Sequence, residues 1–161
     1  GAKVCGIDEN ENAIKVASDH AKKNKLNIDY KKMSFDKINF SKKFDVIVCM
    51  EVLEHLHDVD MLVTKVSQIL KPSGYFIGST INKTFNSYLQ AIFFAENVLK
   101  IVPKETHNWK KFVRPNHLKK KLIFKNFNNI KFQGVQFNPL KNEWKLIKSL
   151  SVNYMFSSKL K

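Results

Sequence analysis

The stretch 49-CMEVLEHLHD-58 carries the densest group of titratable side chains and directly follows an apolar run at 44–48. Glu51, Glu54 and His55 are spaced i, i+3 and i+4, so one turn of helix would present all three on the same side. Two carboxylates and an imidazole suit a divalent cation, with Mg²⁺ favouring the oxygens and the nitrogen also admitting Zn²⁺ or Mn²⁺. The alternative is a solvated first turn whose acids favour the helix dipole.

The elements that position these residues alternate between strand and helix. Strands are predicted at 3–8, 27–30, 44–49 and 75–80, with helices at 10–25 and 58–70 and a turn at 71–74. This alternation predicts βαβ units and a parallel sheet, whose ligands bind outside the carboxyl ends of the strands. Asp8, Ser34, Met50 and Glu51 fall at such ends. Asp58 is a plausible N-cap for the second helix, and His57 is predicted to be a capping or surface group.

The pattern changes after residue 82. A strongly apolar helical stretch at 85–102 precedes a basic, aromatic loop at 103–115. A helix at 116–126 and strands at 130–139 and 152–159 follow. The apolar stretch is predicted to be either a helix packed on the core or a lid that touches a membrane surface.

The chain of 161 residues has 28 Lys and Arg against 14 Asp and Glu, a formal net charge of +14. This excess indicates an anionic partner, either nucleic acid or an acidic membrane surface, or else a lysine-rich solvated surface. Arg114 is the only arginine, which weakens the nucleic-acid interpretation because phosphate and guanine readout favours arginine. Cys5 and Cys49 lie in apolar strand patterns and are predicted to be reduced thiols.

The acid that closes 6-GID-8 fits a nucleoside-containing cofactor, because its carboxylate can accept both ribose hydroxyls; a simple cap is the alternative. The runs FDVIVCMEVLEH, LKPSG and YFIGSTIN resemble the later motifs of class I S-adenosylmethionine-dependent methyltransferases. Together with PKETHNWKKFVRP, QFNPLKNEWKL and VNYM, they closely resemble the ubiquinone-biosynthesis O-methyltransferase family. The resemblance covers nearly the whole chain.

That resemblance implies an α/β fold with a Rossmann-like sheet, mostly parallel, and an antiparallel C-terminal hairpin. The family's first strand and glycine-rich loop have no counterpart before Gly1, so the chain is expected to be an N-terminally truncated fragment of one domain, 1–161. Residues 83–115 would form a lid or membrane-associating insertion. The cofactor-binding residues implied are Asp8 and Met50, although core packing of Met50 is an alternative. Further positions that the resemblance points to are Ser34 near the adenine and Thr106, His107 and Trp109 in the substrate pocket.

The implied activity is S-adenosylmethionine-dependent O-methylation of a polyprenylated dihydroxy-aromatic intermediate, of the 3-demethylubiquinol or 2-polyprenyl-6-hydroxyphenol type. A divalent cation, expected to be Mg²⁺, would be held by Glu51, Glu54 and His55 and would lower the pKa of the phenol. Without a metal, His55 or a carboxylate such as Glu51 would act as general base.

The partners implied are the polyprenyl phenol or catechol, other ubiquinone-biosynthesis enzymes and an anionic membrane surface, with no nucleic acid expected. The residues facing that surface would be Lys100, Lys104, Lys110, Lys111 and Arg114. The location would be cytoplasmic, peripheral to the bacterial inner membrane, or the matrix face of the mitochondrial inner membrane. Two alternatives stay open: a metal-assisted RNA ribose 2′-O-methyltransferase, and a non-catalytic basic nucleic-acid-binding module.

Overall fold

The computed structural model describes residues 1–87, 109–138 and 141–161, and its backbone divides into two units, Gly1–Phe40 and Ser41–Lys161. In the first unit, strand β1 (Val4–Asp8), helix α1 (Glu11–Lys23) and strand β2 (Ile28–Lys32) form a βαβ arrangement. The two strands are parallel and in register from Val4 opposite Ile28 to Asp8 opposite Lys32. A 3₁₀ turn at Phe35–Lys37 follows.

Helix α1 begins where the sequence supplies a cap. The Asn10 side chain accepts hydrogen bonds from the backbone N–H groups of Asn12 and Ala13, which have no partner within the helix. Glu11 stands in the first turn, and the last turn is basic. Each of these charges is opposite in sign to the nearby end of the helix dipole, so both stabilise the helix. The predicted helix at 10–25 is therefore confirmed, and it holds the loop after β1 in place.

The second unit contains one five-stranded sheet in the order β3-β4-β7-β5-β6. Its elements are β3 (Phe44–Met50), α2 (Val59–Ile69), β4 (Leu70–Ile81), α3 (Phe85–Ser87), α4 (Pro115–Phe124), β5 (Phe127–Asn138), β6 (Glu143–Ile147) and β7 (Asn153–Leu160). Only β3 and β4 pair in parallel; β7 runs antiparallel to β4 and β5, and β6 runs antiparallel to β5. The α/β fold class is confirmed, but within the described residues the sheet is mixed rather than mostly parallel, because β7 inserts between β4 and β5.

The core of this unit is aromatic and lies on β4, β5 and β7. Phe76 packs edge-on against Phe156 at 5.1 Å between ring centroids and tilted against Phe127 at 6.1 Å. All three rings are at most 2% exposed. Burying several such side chains stabilises this part of the sheet by roughly 2 kcal/mol each, so the strand ends next to it are firmly placed.

Several local predictions are confirmed, and two features were not predicted. Asp58 caps α2 by accepting from the N–H groups of Asp60 (2.8 Å) and Met61 (3.1 Å). The turn at 71–74 is a bulge inside β4, with Ser73 at φ 63° and a shift from Leu70 opposite Phe44 to Tyr75 opposite Val46. Strand β6 was missed because four of its five residues are exposed and it offers no buried apolar run.

The structure describes only part of the segment between β4 and α4. Beyond Phe85–Ser87, the predicted apolar helix at 85–102 lies outside the described residues, as do Lys100, Lys104, Thr106 and His107. The predicted insertion at 83–115 is likewise described only at 83–87 and 109–115. In the parts described, no helix is both long enough and apolar enough to span a bilayer.

Candidate active site

The carboxyl end of β3 passes into the acidic stretch through a strained residue. Met50, the last residue of β3, is 43% exposed, so it is not a core residue of its unit. Glu51 then adopts φ 52°, in the left-handed region that residues with a Cβ rarely enter. Its N–H lies 3.1 Å from both the carbonyl oxygen and the hydroxyl of Ser79 on β4, and these contacts hold the turn. Strain of this kind is typical of functional sites.

Two consecutive hydroxyls of β4 bind the two carboxylates. The Ser79 hydroxyl donates to Glu51 Oε1, and the Thr80 hydroxyl donates to Glu54 Oε2 at 2.6 Å. Glu54 is 3% exposed and Thr80 is fully buried, whereas Glu51 is exposed. A buried carboxyl group with a short hydrogen bond is costly to place, so its position is well defined.

The pKa of Glu54 is raised from its ordinary value of 4.5 to about 7. Burial is the largest cause, and the nearby Glu51 carboxyl, which also hydrogen-bonds to Glu54, raises the pKa further; the Thr80 hydrogen bond and a backbone one oppose the shift. Burial, and secondly the Glu54 charge, raise the pKa of the Cys49 thiol to about 12 and raise that of the Tyr154 phenol as well. The Glu54 carboxyl therefore keeps its proton up to a pH close to neutral.

The segment 111–113, which precedes α4, makes hydrogen bonds to β4, to β7 and to the turn that carries Glu54. Tyr154 donates to the Val113 carbonyl at 2.9 Å, and the Val113 N–H donates to the Ile81 carbonyl at 3.0 Å. Lys111 Nζ donates to the His55 carbonyl at 3.1 Å. These bonds tie the short turn that carries Glu54 to the sheet and to the chain near residue 111.

The predicted three-residue metal site is not formed by the described residues. Among the residues that the structure covers, no group of three or more His, Cys, Asp or Glu side chains is placed to hold a metal ion. Glu51, Glu54 and His55 do not share the one helical face that was predicted. The backbone of Glu51 lies in the left-handed region, and the turn Leu53–His55 is a 3₁₀ helix. As a result Glu54 points inward while His55 is exposed.

Thr80 is the last residue of the predicted strand 75–80, and neither it nor Ser79 was predicted to have a role. The signal that could have identified them is the polar pair inside the apolar strand 75-YFIGSTI-81. Buried hydroxyls in a strand require hydrogen-bond partners, and the only acids near the end of the neighbouring strand β3 are those of the 49–58 stretch.

In the first unit, Asp8 ends β1 and is exposed. One carboxylate oxygen, Oδ1, accepts from the Asn10 N–H at 2.7 Å, while the Asp8 carbonyl accepts from the Met33 N–H at 2.9 Å. Helix capping, the alternative role, belongs to Asn10. Asp8 is thus oriented through one oxygen and presents the other, which fits the recognition of a ribose hydroxyl.

Ser34 was predicted to lie near the adenine of the cofactor. Its hydroxyl is 2.5 Å from Asp36 Oδ1 and 3.3 Å from Glu9 Oε2, so it takes part in a local acidic turn. These contacts leave its predicted role untested. Trp109, predicted to line the substrate pocket, donates through Nε1 to the Thr84 carbonyl at 3.0 Å.

Comparison with known proteins finds methyltransferases that are similar to this chain. A family model described as a methyltransferase domain matches residues 1–78. The chain is 46% identical over 155 residues to a ubiquinone biosynthesis O-methyltransferase of Pelagibacter ubique (strain HTCC1062). This matched region covers 96% of the chain and 65% of that protein. A protein with the same name from Rhizobium etli is 39% identical, and the matched region covers 99% of the chain and 64% of that protein. The chain is thus similar to ubiquinone biosynthesis O-methyltransferases over nearly all of its length.

Solved methyltransferase structures share the fold of this chain. The magnesium protoporphyrin IX methyltransferase of Synechocystis PCC 6803, solved with bound SAH, superimposes with a TM-score of 0.68 at 14% identity and covers 100% of the chain and 65% of that protein. This confirms the Rossmann-like methyltransferase fold. The chain spans about 65% of the length of the curated relatives.

Proposed function

We propose that this chain belongs to the ubiquinone biosynthesis O-methyltransferase family and takes part in S-adenosylmethionine-dependent O-methylation of a polyprenylated dihydroxy-aromatic intermediate. The shared family name of its curated relatives supports the reaction and the pathway. The observation that carries the chemistry is the acidic pair Glu51–Glu54, which the hydroxyls of Ser79 and Thr80 fix at the end of β3.

The acidic pair would supply the base that the reaction needs. A phenolic hydroxyl is a weak nucleophile until it loses its proton, and a positioned carboxylate contributes roughly 10²–10⁴-fold to such a step. Glu51 is the exposed member and takes the proton, while the Glu54 carboxyl beside it is buried. The phenolate oxygen then forms a bond to the methyl carbon as the carbon–sulfur bond breaks with its electron pair going to sulfur.

When bound, S-adenosylmethionine supplies an electrophilic methyl group on a sulfonium sulfur. Asp8 would accept a ribose hydroxyl through the oxygen that Asn10 leaves available. Met50 would lie against the cofactor through its exposed, polarisable thioether.

A divalent cation held jointly by Glu51, Glu54 and His55 does not fit this arrangement, because the His55 side chain is exposed and Glu54 is turned into the core. We therefore assign proton transfer to the carboxylates alone and derive no step through a metal. His55 contributes its main-chain carbonyl, which accepts from Lys111 and fixes the turn.

We also propose that the protein works at an anionic membrane surface, where a polyprenyl substrate resides. Phe85 is 71% exposed, and the basic residues Lys110, Lys111 and Arg114 lie in the same stretch of sequence, 83–115. Exposed aromatic and basic side chains together favour such surfaces. The expected location is the cytoplasmic face of a bacterial inner membrane or the matrix face of the mitochondrial one.

The test is methyl transfer to a short-chain prenyl catechol from labelled S-adenosylmethionine, with unstructured RNA as a competing acceptor. We expect label in the catechol ether and none in RNA, with Glu51→Gln lowering kcat by roughly 10²-fold or more. Full turnover by Glu51→Gln would refute the carboxylate mechanism, and methylation of RNA ribose would refute the substrate class.

A further inference from the structure

A cleft of about 620 Å³ opens in the Ser41–Lys161 unit beside the N-terminal ends of α2 and α4. Its walls come from the start of α2, from Lys83 and from the segment 110–121. The charged and titratable residues that line it are His57, Asp58, Asp60, Lys83, Lys110, Lys111, Arg114, His117 and Lys121. None of these side chains carries the proposed methyl transfer.

The cleft is strongly cationic. Five lining residues are lysine or arginine, and the two acids already have partners. Asp58 caps α2, and Asp60 forms an ion pair with Lys121. Charges of one sign in a concave surface raise the local concentration of ions of the opposite sign, so the cleft attracts anions.

Two of its lysines, Lys83 and Lys111, are held in place by neutral groups. Lys83 Nζ donates to the Lys110 carbonyl at 2.9 Å and lies 4.9 Å from the centre of the Trp109 ring. Lys111 Nζ donates to the His55 carbonyl at 3.1 Å. Each ammonium group has three donors. These contacts therefore position the charges without neutralising them.

Arg114 differs from the lysines. Its side chain is exposed, and within the described parts of the chain it has no hydrogen bond or ion pair. It is also the residue before α4, where no side chain caps the helix and Pro115 occupies the first turn. A guanidinium presents several N–H donors in a planar fork that matches the oxygens of a phosphate.

We propose that this cleft binds a phosphate group, as a free phosphate or monoester or as the diester of a lipid headgroup, with Arg114 as its main ligand. A phosphate fits better than a single carboxylate, because it has more acceptor oxygens and more charge to set against the excess of cations over acids in the cleft. The positive end of α4 adds to the attraction.

The experiment titrates the chain with inorganic phosphate at constant ionic strength and follows binding by calorimetry. Arg114→Gln should weaken phosphate binding about tenfold or more, and Arg114→Lys should restore part of it. Lys119→Gln is the matched control, because Lys119 is an exposed cation of α4 outside the cleft. Phosphate binding that is absent, or that falls equally in Arg114→Gln and Lys119→Gln, would overturn the proposal.

Vesicles of phosphatidylcholine with and without phosphatidylglycerol distinguish the two sources of the phosphate. If the group is a lipid headgroup, Arg114→Gln reduces sedimentation with the anionic vesicles and inorganic phosphate competes. If it belongs to a soluble molecule, phosphate binding depends on Arg114 while vesicle binding does not. Circular dichroism of each variant checks that the fold is retained.

Discussion

Thr80 Oγ1 donates a 2.6 Å hydrogen bond to Glu54 Oε2, and both side chains are buried. This bond joins the end of β4 to the turn that follows β3, and it is more enclosed than the contact between Ser79 and Glu51. Because a buried carboxyl group without a partner is costly, the bond fixes where Glu54 lies and, through Glu54, where the exposed Glu51 carboxyl lies.

Replacing Thr80 tests this positioning role. Thr80→Val removes the hydroxyl and keeps the shape, so we expect the free energy of unfolding to fall by about 1–3 kcal/mol. Urea unfolding measures the loss. Thr80→Ser keeps the donor and should recover most of it, and it should also recover the pH profile of kcat, which Thr80→Val should shift. A larger loss in Thr80→Ser than in Thr80→Val would indicate that the Thr80 methyl group, rather than its hydroxyl, matters.

The raised pKa of Glu54 predicts how stability depends on pH. Between about 4.5 and about 7 the folded chain keeps the Glu54 proton while the unfolded chain has lost it. Folding therefore gains from this group at low pH, and the gain disappears as the pH rises through about 7. The full change is on the order of 3 kcal/mol.

The measurement is the difference in unfolding free energy between the wild type and Glu54→Gln at pH 5 and pH 8, which cancels the titration of the other carboxyls. We expect Glu54→Gln to gain stability relative to the wild type as the pH rises. A difference that stays constant over this range would show that Glu54 titrates at its ordinary pKa.

The left-handed backbone of Glu51 allows its effect on stability to be measured separately from its effect on methyl transfer. Glycine adopts φ 52° without a Cβ penalty, which is roughly 1–2 kcal/mol for other residues. Glu51→Gly should therefore unfold at higher urea concentration than Glu51→Gln, which keeps the strain. Both variants should lose methyl transfer, because both lack the carboxylate. A Glu51→Gly variant that is less stable than Glu51→Gln would refute the strain.

Much of the fold could be predicted from the sequence because its signals are local. Asp58 stands before an amphipathic stretch and caps α2 as expected, and the apolar run at 44–48 becomes β3. The inward turn of Glu54 could not be predicted, because it follows from a left-handed glutamate, a conformation that sequence patterns assign to glycine. Strand β6 could not be predicted either, because pairing with β5 rather than burial maintains it.

His55 tests the correction to the predicted metal triad. Its side chain is exposed, and its main-chain carbonyl makes the contact with Lys111, so His55→Ala leaves that contact possible. We expect His55→Ala to lower kcat less than tenfold, against roughly 10²-fold or more for Glu51→Gln. If the two variants lose activity equally, the imidazole acts together with the carboxylates in the reaction, and the triad would be reinstated.

Asp8 provides a separate test of cofactor recognition. Asp8→Asn keeps an oxygen that can accept from the Asn10 N–H, so the start of α1 should be unchanged and the unfolding free energy should move little. It replaces the charged acceptor by an amide, and a hydrogen bond to a charged group is worth about 1.5–3 kcal/mol. The affinity for S-adenosylhomocysteine, measured by calorimetry, should therefore fall about tenfold or more. Asn10→Ala is the opposite control: it should destabilise α1 by about 1 kcal/mol through loss of the cap, while the Asp8 carboxylate and its backbone hydrogen bond persist. Unchanged affinity in Asp8→Asn would remove Asp8 from the cofactor site.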